Sequence, residues 1–465
     1  MKEVLDKGRF RLPARASFYY IVSTAIGKGI GLILTPIFTR VIDTGEYGYF
    51  SYYISLLSII SLISALFLSP AVIYSGLGKF KDTKTGFENT TILLSTIINT
   101  AFCTLLFAFN GFFDLDRTLV VLILIQNLFD AIITTELLSG KFTYDYTKVI
   151  TIQLLSSFLA PAISLFLIFT FSLGAMGRIL GLLIAAGVIA SVLLVKRLIK
   201  TENPKGEHLS FLIKNSLPPF PATVARAVMG WSDKLVIKAT LGVEQLAKYS
   251  VAHTVGMALF GLIGALGSAL NPWIIRRLTR GDDEGLFDVI KNLSDLVAFG
   301  SVVIIGLAPE ILFVLAPKGY SEAIYTIIPF AISTVPYFLF NLYSVLITYA
   351  EKTKFISLYT LFGAVLNLVL NIILIKSFGY IGGAVSYLVS EGVIYLLASS
   401  FIKKRGSNTK RKTDGAGFSI SFSVVMAVFL FLLYPHLSIR LVILILPACL
   451  AVNRGFACLD LAKEK

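Results

Sequence analysis

The feature that most constrains this chain is a series of apolar segments, each of about 20 residues, that recurs from Ala16 to Val452. A segment of that length crosses a hydrocarbon core of about 30 Å as a helix. Only 15% of the residues are charged and 56% are hydrophobic, whereas soluble domains carry roughly one-quarter charged residues. Short polar stretches separate the segments and leave no room for a folded soluble domain. The sequence therefore predicts an all-α polytopic membrane protein.

The apolar segments predict about fourteen transmembrane helices, with boundaries uncertain by a few residues. The predicted spans are 17–39, 48–75, 90–113, 118–138, 149–172, 179–195, 216–231, 249–275, 293–316, 324–349, 355–375, 380–399, 418–434 and 439–453. On these boundaries Asp233 follows the end of a span, and we expect it to be a structural acid of the turn.

Lysine and arginine are concentrated in alternate loops, which indicates orientation because short cytoplasmic loops carry the basic excess. The basic amino-terminal stretch, the segment from Lys196 to Lys214 and the KKRGSNTKRK run from Lys403 to Lys412 all fall on one side. We therefore expect a multi-pass protein of the cytoplasmic (inner) membrane with both termini in the cytoplasm. The net charge of +14 is explained by this orientation, so no nucleic-acid partner is expected.

Two pairs of similar segments indicate an internal duplication. Ile42–Ser51 matches Leu241–Ser250 in pattern, and LGAMG at Leu173–Gly177 matches FGYIGG at Phe378–Gly383. Transporters are often built from repeated halves. We predict a six-helix lobe at 1–200, a second at 201–402, and a segment at 403–465 that holds a basic loop, helices 13 and 14 and a tail.

Four segments resemble the polysaccharide exporter (O-antigen flippase) branch of the superfamily that includes the multidrug and toxin extrusion transporters and the lipid-linked peptidoglycan precursor flippase. They are TPIFTRVIDTGEYGYFS (Thr35–Ser51), SDKLVIKATLGVEQLAKYSVA (Ser232–Ala252), PKGYSEAIYTIIPFAI (Pro317–Ile332) and FGYIGGAVSYLVSEGV (Phe378–Val393). The resemblance implies two six-helix bundles in a V around a central cavity that opens to each face in turn. It also implies that the final helix pair forms a groove for a lipid tail.

Two cations lie deep in predicted spans at nearly matching positions of the two lobes. Lys28 lies among Gly27, Gly29 and Gly31, and Arg226 lies in the first span of the second lobe. A charge at a helix centre costs at least about 2.5 kcal/mol on insertion scales, so each is a functional hypothesis by default. We predict that both face the cavity and bind a pyrophosphate or an acidic sugar. The alternative is that each pairs with a buried acid of its own lobe.

Asp130 and Glu391 are acids within predicted spans. They are candidate counter-ions for the two cations, which we favour, or titratable groups that couple transport to protons or sodium. The three cysteines show no metal-ligand or CxxC spacing. We expect no metal site, no catalytic residues and no cofactor.

The resemblance implies a flippase that carries an undecaprenyl-pyrophosphate-linked oligosaccharide repeat unit across the membrane for O-antigen or capsule biosynthesis. Its partners would be that lipid-linked oligosaccharide and the membrane lipids. We expect a monomer, with a polysaccharide polymerase as a candidate partner. A cation-coupled multidrug exporter is the alternative within transport. A membrane polysaccharide polymerase is the enzyme alternative, which the short predicted outside loops disfavour.

Overall fold

The computed structural model describes residues 29–109, 116–198, 202–279, 286–405 and 414–463. Within these ranges the chain is helical and contains no strand, which confirms the all-α class. Each predicted span overlaps a helix, and the span predicted at 324–349 coincides with the helix Ile324–Tyr349. Ten helices of the described part are long and apolar enough to cross a membrane, so the chain is a multi-pass membrane protein.

The contacts divide the chain into two compact units, Met1–Ala227 and Val228–Lys465, and we describe each by itself. In the first unit the helices are α1 (Gly29–Val41), α2 (Thr44–Ser64), α3 (Pro70–Lys79), α4 (Lys84–Ala108), α5 (Arg117–Phe142), α6 (Tyr146–Phe171), α7 (Gly174–Leu198) and α8 (Gly206–Ser216). The helix α9 (Phe220–Leu241) contains the division. The predicted domain boundaries near 200 and 402 stay predictions.

In the second unit the helices are α10 (Val243–Thr279), α11 (Leu286–Gly306), α12 (Ala308–Leu315), α13 (Ile324–Tyr349), α14 (Thr353–Phe378), α15 (Ile381–Arg405), α16 (Asp414–Leu432) and α17 (Leu437–Lys463). Helix α13 is buried along most of its length and packs against α10, α11 and α15. The final pair, α16 and α17, packs on α11, where Ala427, Leu430 and Leu444 join the same apolar core as Val302 and Ile305.

Local signals mark where two long helices of the first unit begin. The carboxylate of Asp116 accepts a hydrogen bond from the backbone N–H of Thr118 at 2.9 Å, and Asp145 accepts one from that of Lys148 at 3.1 Å. Both acids are N-caps, which satisfy amide groups that have no partner within the helix. These caps set where α5 and α6 begin.

Glycines of the two segments matched in the predicted duplication both have a positive φ angle. Gly174 has φ +49° and Gly379 has φ +66°, a region that glycine enters without steric cost. Three residues later, a Cβ added to Gly382 would lie 2.2 Å from the carbonyl oxygen of Leu374, and one added to Gly177 would lie 3.3 Å from the backbone nitrogen of Ile168. The glycines therefore allow each helix to turn back closely on the helix before it.

The basic segment from Lys196 to Lys214 contains most of a helix that the sequence analysis did not predict. Helix α8 packs against α3 and α4, and its Leu212 is fully buried in the same core as Phe80 and Phe87. The imidazole Nε2 of His208 lies 3.0 Å from the hydroxyl of Thr83. Helix α8 is thus fixed to the first unit.

Candidate functional site

The structure describes only one of the two predicted cargo-binding cations. Lys28 lies outside the described residues. Arg226 is half-buried on α9 and makes contacts within the protein. Their joint role in binding a cargo therefore stays a prediction.

The two predicted acids both lie on long helices. Asp130 is partly buried on α5 and accepts a hydrogen bond from the side-chain amide of Gln126 at 3.1 Å. Among the described residues, no lysine or arginine lies within ion-pair distance of its carboxylate. Glu391 is fully buried on α15. Whether either acid is a counter-ion of Lys28 or Arg226, or a coupling group, stays a prediction.

Amide side chains near Asp130 form a chain of hydrogen bonds between helices of the first unit. The amide of Asn127 donates to the side-chain oxygen of Asn99 at 3.1 Å, the amide of Asn99 donates to the carbonyl oxygen of Leu124 at 3.1 Å, and Ser61 donates to Asn127. These bonds join α2, α4 and α5. Interhelical bonds of this kind hold transmembrane helices together, so these amides have a structural role.

A buried ion network lies at one end of the first unit. The guanidinium of Arg197, on α7, donates from Nε to Glu136 Oε1 at 3.0 Å, from Nη2 to Glu88 Oε2 at 3.1 Å and from Nη1 to the side-chain oxygen of Asn89 at 2.9 Å. Glu136 also accepts a hydrogen bond from Lys148. The network joins α4, α5, α6 and α7. The fork of arginine donors suits this bridging because each nitrogen reaches a different acceptor.

A cavity of about 960 Å³ adjoins the ion network. Its charged end is lined by Lys84, Glu88, Lys148, Lys196 and Arg197, and apolar side chains of α6 and α7 line the rest. The apolar wall rests on a packed core of isoleucines and alanines from α5, α6 and α7. The cavity is amphipathic: an apolar slot ends at a cluster of charges of both signs.

The second unit contains a buried charged pair on α9. Asp233 and Lys234 are almost fully buried. Asp233 accepts a hydrogen bond from the hydroxyl of Tyr249, and the ammonium of Lys234 lies 4.5 Å from the ring centre of Trp231. The ring of His253 lies beside those of Trp231 and Tyr249. The expectation that Asp233 is a structural acid of a turn is therefore wrong: Asp233 lies within α9, which continues to Leu241. Tyr249 and Trp231 cover the two charges.

Two further amides lie next to this charged pair. The amide of Asn371, on α14, donates to the hydroxyl of Ser232 at 3.2 Å and to the side-chain oxygen of Asn367 at 3.1 Å. All three side chains are buried. The charged pair and the amides form a continuous polar region across α9, α10 and α14. The adjacent letters SDK within an apolar context were the sequence signal for it.

No cluster of three or more metal-ligating side chains occurs among the residues that the structure describes. What the first unit offers is a cavity with mixed charge, and what the second offers is a buried acid–base pair. The cavity can bind polar groups, whereas the pair in the second unit is buried.

Comparison with known proteins identifies the fold and its relatives. A family model described as "Polysaccharide biosynthesis protein" matches residues 14–277. An uncharacterized membrane protein of Methanocaldococcus jannaschii is 25% identical over 282 residues, which are 58% of this chain and 66% of that protein. The match thus spans slightly less than two-thirds of that relative.

Solved transporters share the fold. The lipid II flippase MurJ in an inward closed conformation matches with a TM-score of 0.68 and 15% identity, over 96% of this chain and 100% of that one. An inward-facing multidrug resistance MATE family transporter of the MOP superfamily matches with a TM-score of 0.66 and 13% identity. The match covers 82% of this chain and 94% of that one. A MOP superfamily transporter from Pyrococcus furiosus matches with a TM-score of 0.60 and 13% identity. The match covers 84% of this chain and 96% of that one.

Proposed function

We propose that this chain, which belongs to the polysaccharide biosynthesis protein family, is a flippase for a lipid-linked oligosaccharide. It is a membrane transporter with the MOP superfamily fold. The cargo is an undecaprenyl-pyrophosphate-linked repeat unit of a surface polysaccharide such as O-antigen or capsule. The protein carries it by alternating access across the cytoplasmic membrane, and both its termini lie in the cytoplasm.

The extent of the structural match supports a cargo attached to a lipid. The lipid II flippase covers 96% of this chain, whereas the MATE transporter covers 82%. The final helices α16 and α17 pack on α11 as an addition to the twelve predicted core spans. A chain that resembles a lipid flippase over nearly its whole length fits a lipid-linked cargo better than a small soluble drug.

The proposed cargo site consists of Lys28 and Arg226. An arginine fork binds two phosphate oxygens and a lysine ammonium acts as a point charge, so the two together neutralise most of a pyrophosphate. Reversing either charge, as Lys28→Glu or Arg226→Glu, introduces repulsion of the cargo. We expect both variants to insert normally and to lose export.

The test is a deletion strain complemented with each variant. Loss of the protein is expected to accumulate the lipid-linked oligosaccharide in the cytoplasmic leaflet, and the wild-type chain restores surface polysaccharide. Lys376→Glu is the matched control, because Lys376 is exposed at the end of α14 and its charge reversal should preserve export. Full export by the Lys28→Glu/Arg226→Glu double variant at normal abundance refutes the cargo site.

Asp130 is the proposed coupling acid. Its carboxylate accepts one amide hydrogen bond and forms no ion pair with a described lysine or arginine. Among these residues no salt bridge has to be displaced when a proton or sodium ion binds. We expect Asp130→Asn to keep the fold and to reduce transport driven by an ion gradient. Equal export by Asp130→Asn and wild type, measured with and without an ionophore, refutes the assignment.

A multidrug exporter is the second candidate, favoured by the fold shared with MATE transporters. Expression in a drug-sensitive host separates the two functions. Drug resistance that Asp130→Asn abolishes supports an exporter, whereas restored surface polysaccharide without resistance supports the flippase.

A further inference from the structure

Apolar side chains that line the cavity of the first unit are also exposed on the surface of its helices. Leu155 on α6 and Val188 and Val192 on α7 line it, and each is about half exposed. Residues exposed on the flank of helices that span a membrane face acyl chains. A membrane lipid can therefore enter this cavity sideways, with its chain along α6 and α7.

The charged end of the cavity contains an acceptor whose hydrogen-bonding capacity is unused. Glu88 is 6% exposed, and its Oε2 accepts from Arg197. Its Oε1 has no hydrogen-bond donor within reach among the described residues, and the ammonium of Lys84 is 3.7 Å away. A buried carboxylate oxygen without a donor costs free energy, so a ligand that donates an N–H here would be bound favourably.

Two lysines, Lys84 and Lys196, line the same cavity as Glu88. Lys196 is exposed at the end of α7 and lines the cavity. It forms no ion pair with any described residue. Lys84 is partly exposed and its ammonium is beyond hydrogen-bonding distance of Glu88. Both ammonium groups therefore line the same cavity as a carboxylate oxygen without a donor, and Lys84 Nζ lies 3.7 Å from that oxygen.

We propose that this cavity binds a phospholipid whose headgroup joins a phosphate to a primary ammonium, as phosphatidylethanolamine does. The phosphate contacts Lys84 and Lys196, the ammonium donates to Glu88 Oε1, and one acyl chain lies along Leu155 and Val192. Charges of both signs in the lining match a zwitterion better than an anion, because Glu88 would repel a purely anionic headgroup. This site is independent of the proposed transport function.

Native mass spectrometry of the full-length protein with three lipids of identical acyl chains tests the site. Phosphatidylcholine has the same phosphate and net charge as phosphatidylethanolamine but carries methyl groups instead of N–H donors. Phosphatidylglycerol carries an anionic phosphate and no ammonium. A hydrogen bond to a buried carboxylate predicts binding of phosphatidylethanolamine about tenfold tighter than phosphatidylcholine. Equal affinities for these two lipids, or a preference for phosphatidylglycerol, overturn the proposal.

Variants locate the binding within the cavity. Glu88→Gln should bring the affinities for phosphatidylethanolamine and phosphatidylcholine to within about twofold of each other, because the neutral amide attracts the ammonium weakly. Val188→Trp should weaken binding of all three lipids by filling the slot without touching the ion network. Val365→Trp, at an exposed apolar position of α14 in the other unit, is its control. Unchanged lipid binding by Val188→Trp overturns the proposal even if Glu88→Gln fails to fold.

Discussion

Replacing Arg197 by methionine should open one end of the first unit. Arg197 is 7% exposed and contacts both Glu136 and Glu88. Removing one partner of a buried ion pair costs about 3–5 kcal/mol because the other charge stays buried. Here Glu136 keeps Lys148, and Lys84 lies 3.7 Å from Glu88, so part of the charge remains compensated. We therefore expect the lower end of that range, about 3 kcal/mol.

Hydrogen exchange measures this loss where it occurs. A decrease of about 3 kcal/mol corresponds to roughly 150-fold faster exchange for amides that exchange through opening. The amides concerned lie at the beginning of α4 and the ends of α5 and α7. Lys214→Met is the control, because Lys214 is exposed on α8 and surface substitutions stay within about 0.5 kcal/mol.

A double variant separates lost charge compensation from lost packing. In Arg197→Met/Glu136→Met two apolar side chains replace the closest pair, and such replacements are often neutral or stabilising. We expect the double variant to recover much of the protection. Protection in Arg197→Met equal to that in Lys214→Met, or a double variant worse than the single one, refutes the reasoning.

Two further predictions concern backbone packing and pH. Gly382→Ala places a Cβ 2.2 Å from the carbonyl oxygen of Leu374, whereas Gly392→Ala on the same helix meets nothing within 4 Å. Gly382→Ala should therefore lower the thermal midpoint. Gly392→Ala should raise it slightly, since alanine favours a helix by about 1 kcal/mol over glycine. Burial and the nearby Lys205 ammonium lower the pKa of His208, so the unfolded state binds more protons and the docking of α8 weakens as pH falls below about 6.5. Exchange of α8 amides, corrected for intrinsic rates, should rise between about pH 7.5 and 5.5 and lose that dependence in His208→Gln.

Hydropathy was enough to predict the fold class because a lipid solvent permits few backbone solutions. The predicted spans overlap helices throughout, and the matched segments LGAMG and FGYIGG each contain a glycine with positive φ, Gly174 and Gly379. Span ends were less accurate where charge interrupted an apolar run. Asp233 and Lys234 were placed outside a helix because isolated charges signal a membrane boundary, yet Tyr249 and Trp231 cover them within α9.

The cavity and its ion network were beyond sequence reasoning for a different reason. Arg197 and Lys196 form part of a basic cluster that loop orientation already explained, and Glu88 and Glu136 lie 109 and 61 residues from Arg197 along the chain. No local pattern connects residues so far apart. Only the packing of α4, α5 and α7 shows that Arg197 is buried and that Lys196, its neighbour, is exposed.

Two acids on α5 show how the structure separates structural from functional charge. Asp130 and Glu136 are both acids within one predicted span, and depth alone assigns them the same role. Glu136 contacts Arg197 and Lys148, so its charge is compensated and its removal should destabilise the end of the unit. Asp130 has an amide partner and no described cation near it. Of the two, we propose Asp130 as the acid whose charge is exchanged for a bound proton or ion during a transport cycle, because no salt bridge to a described residue has to break first.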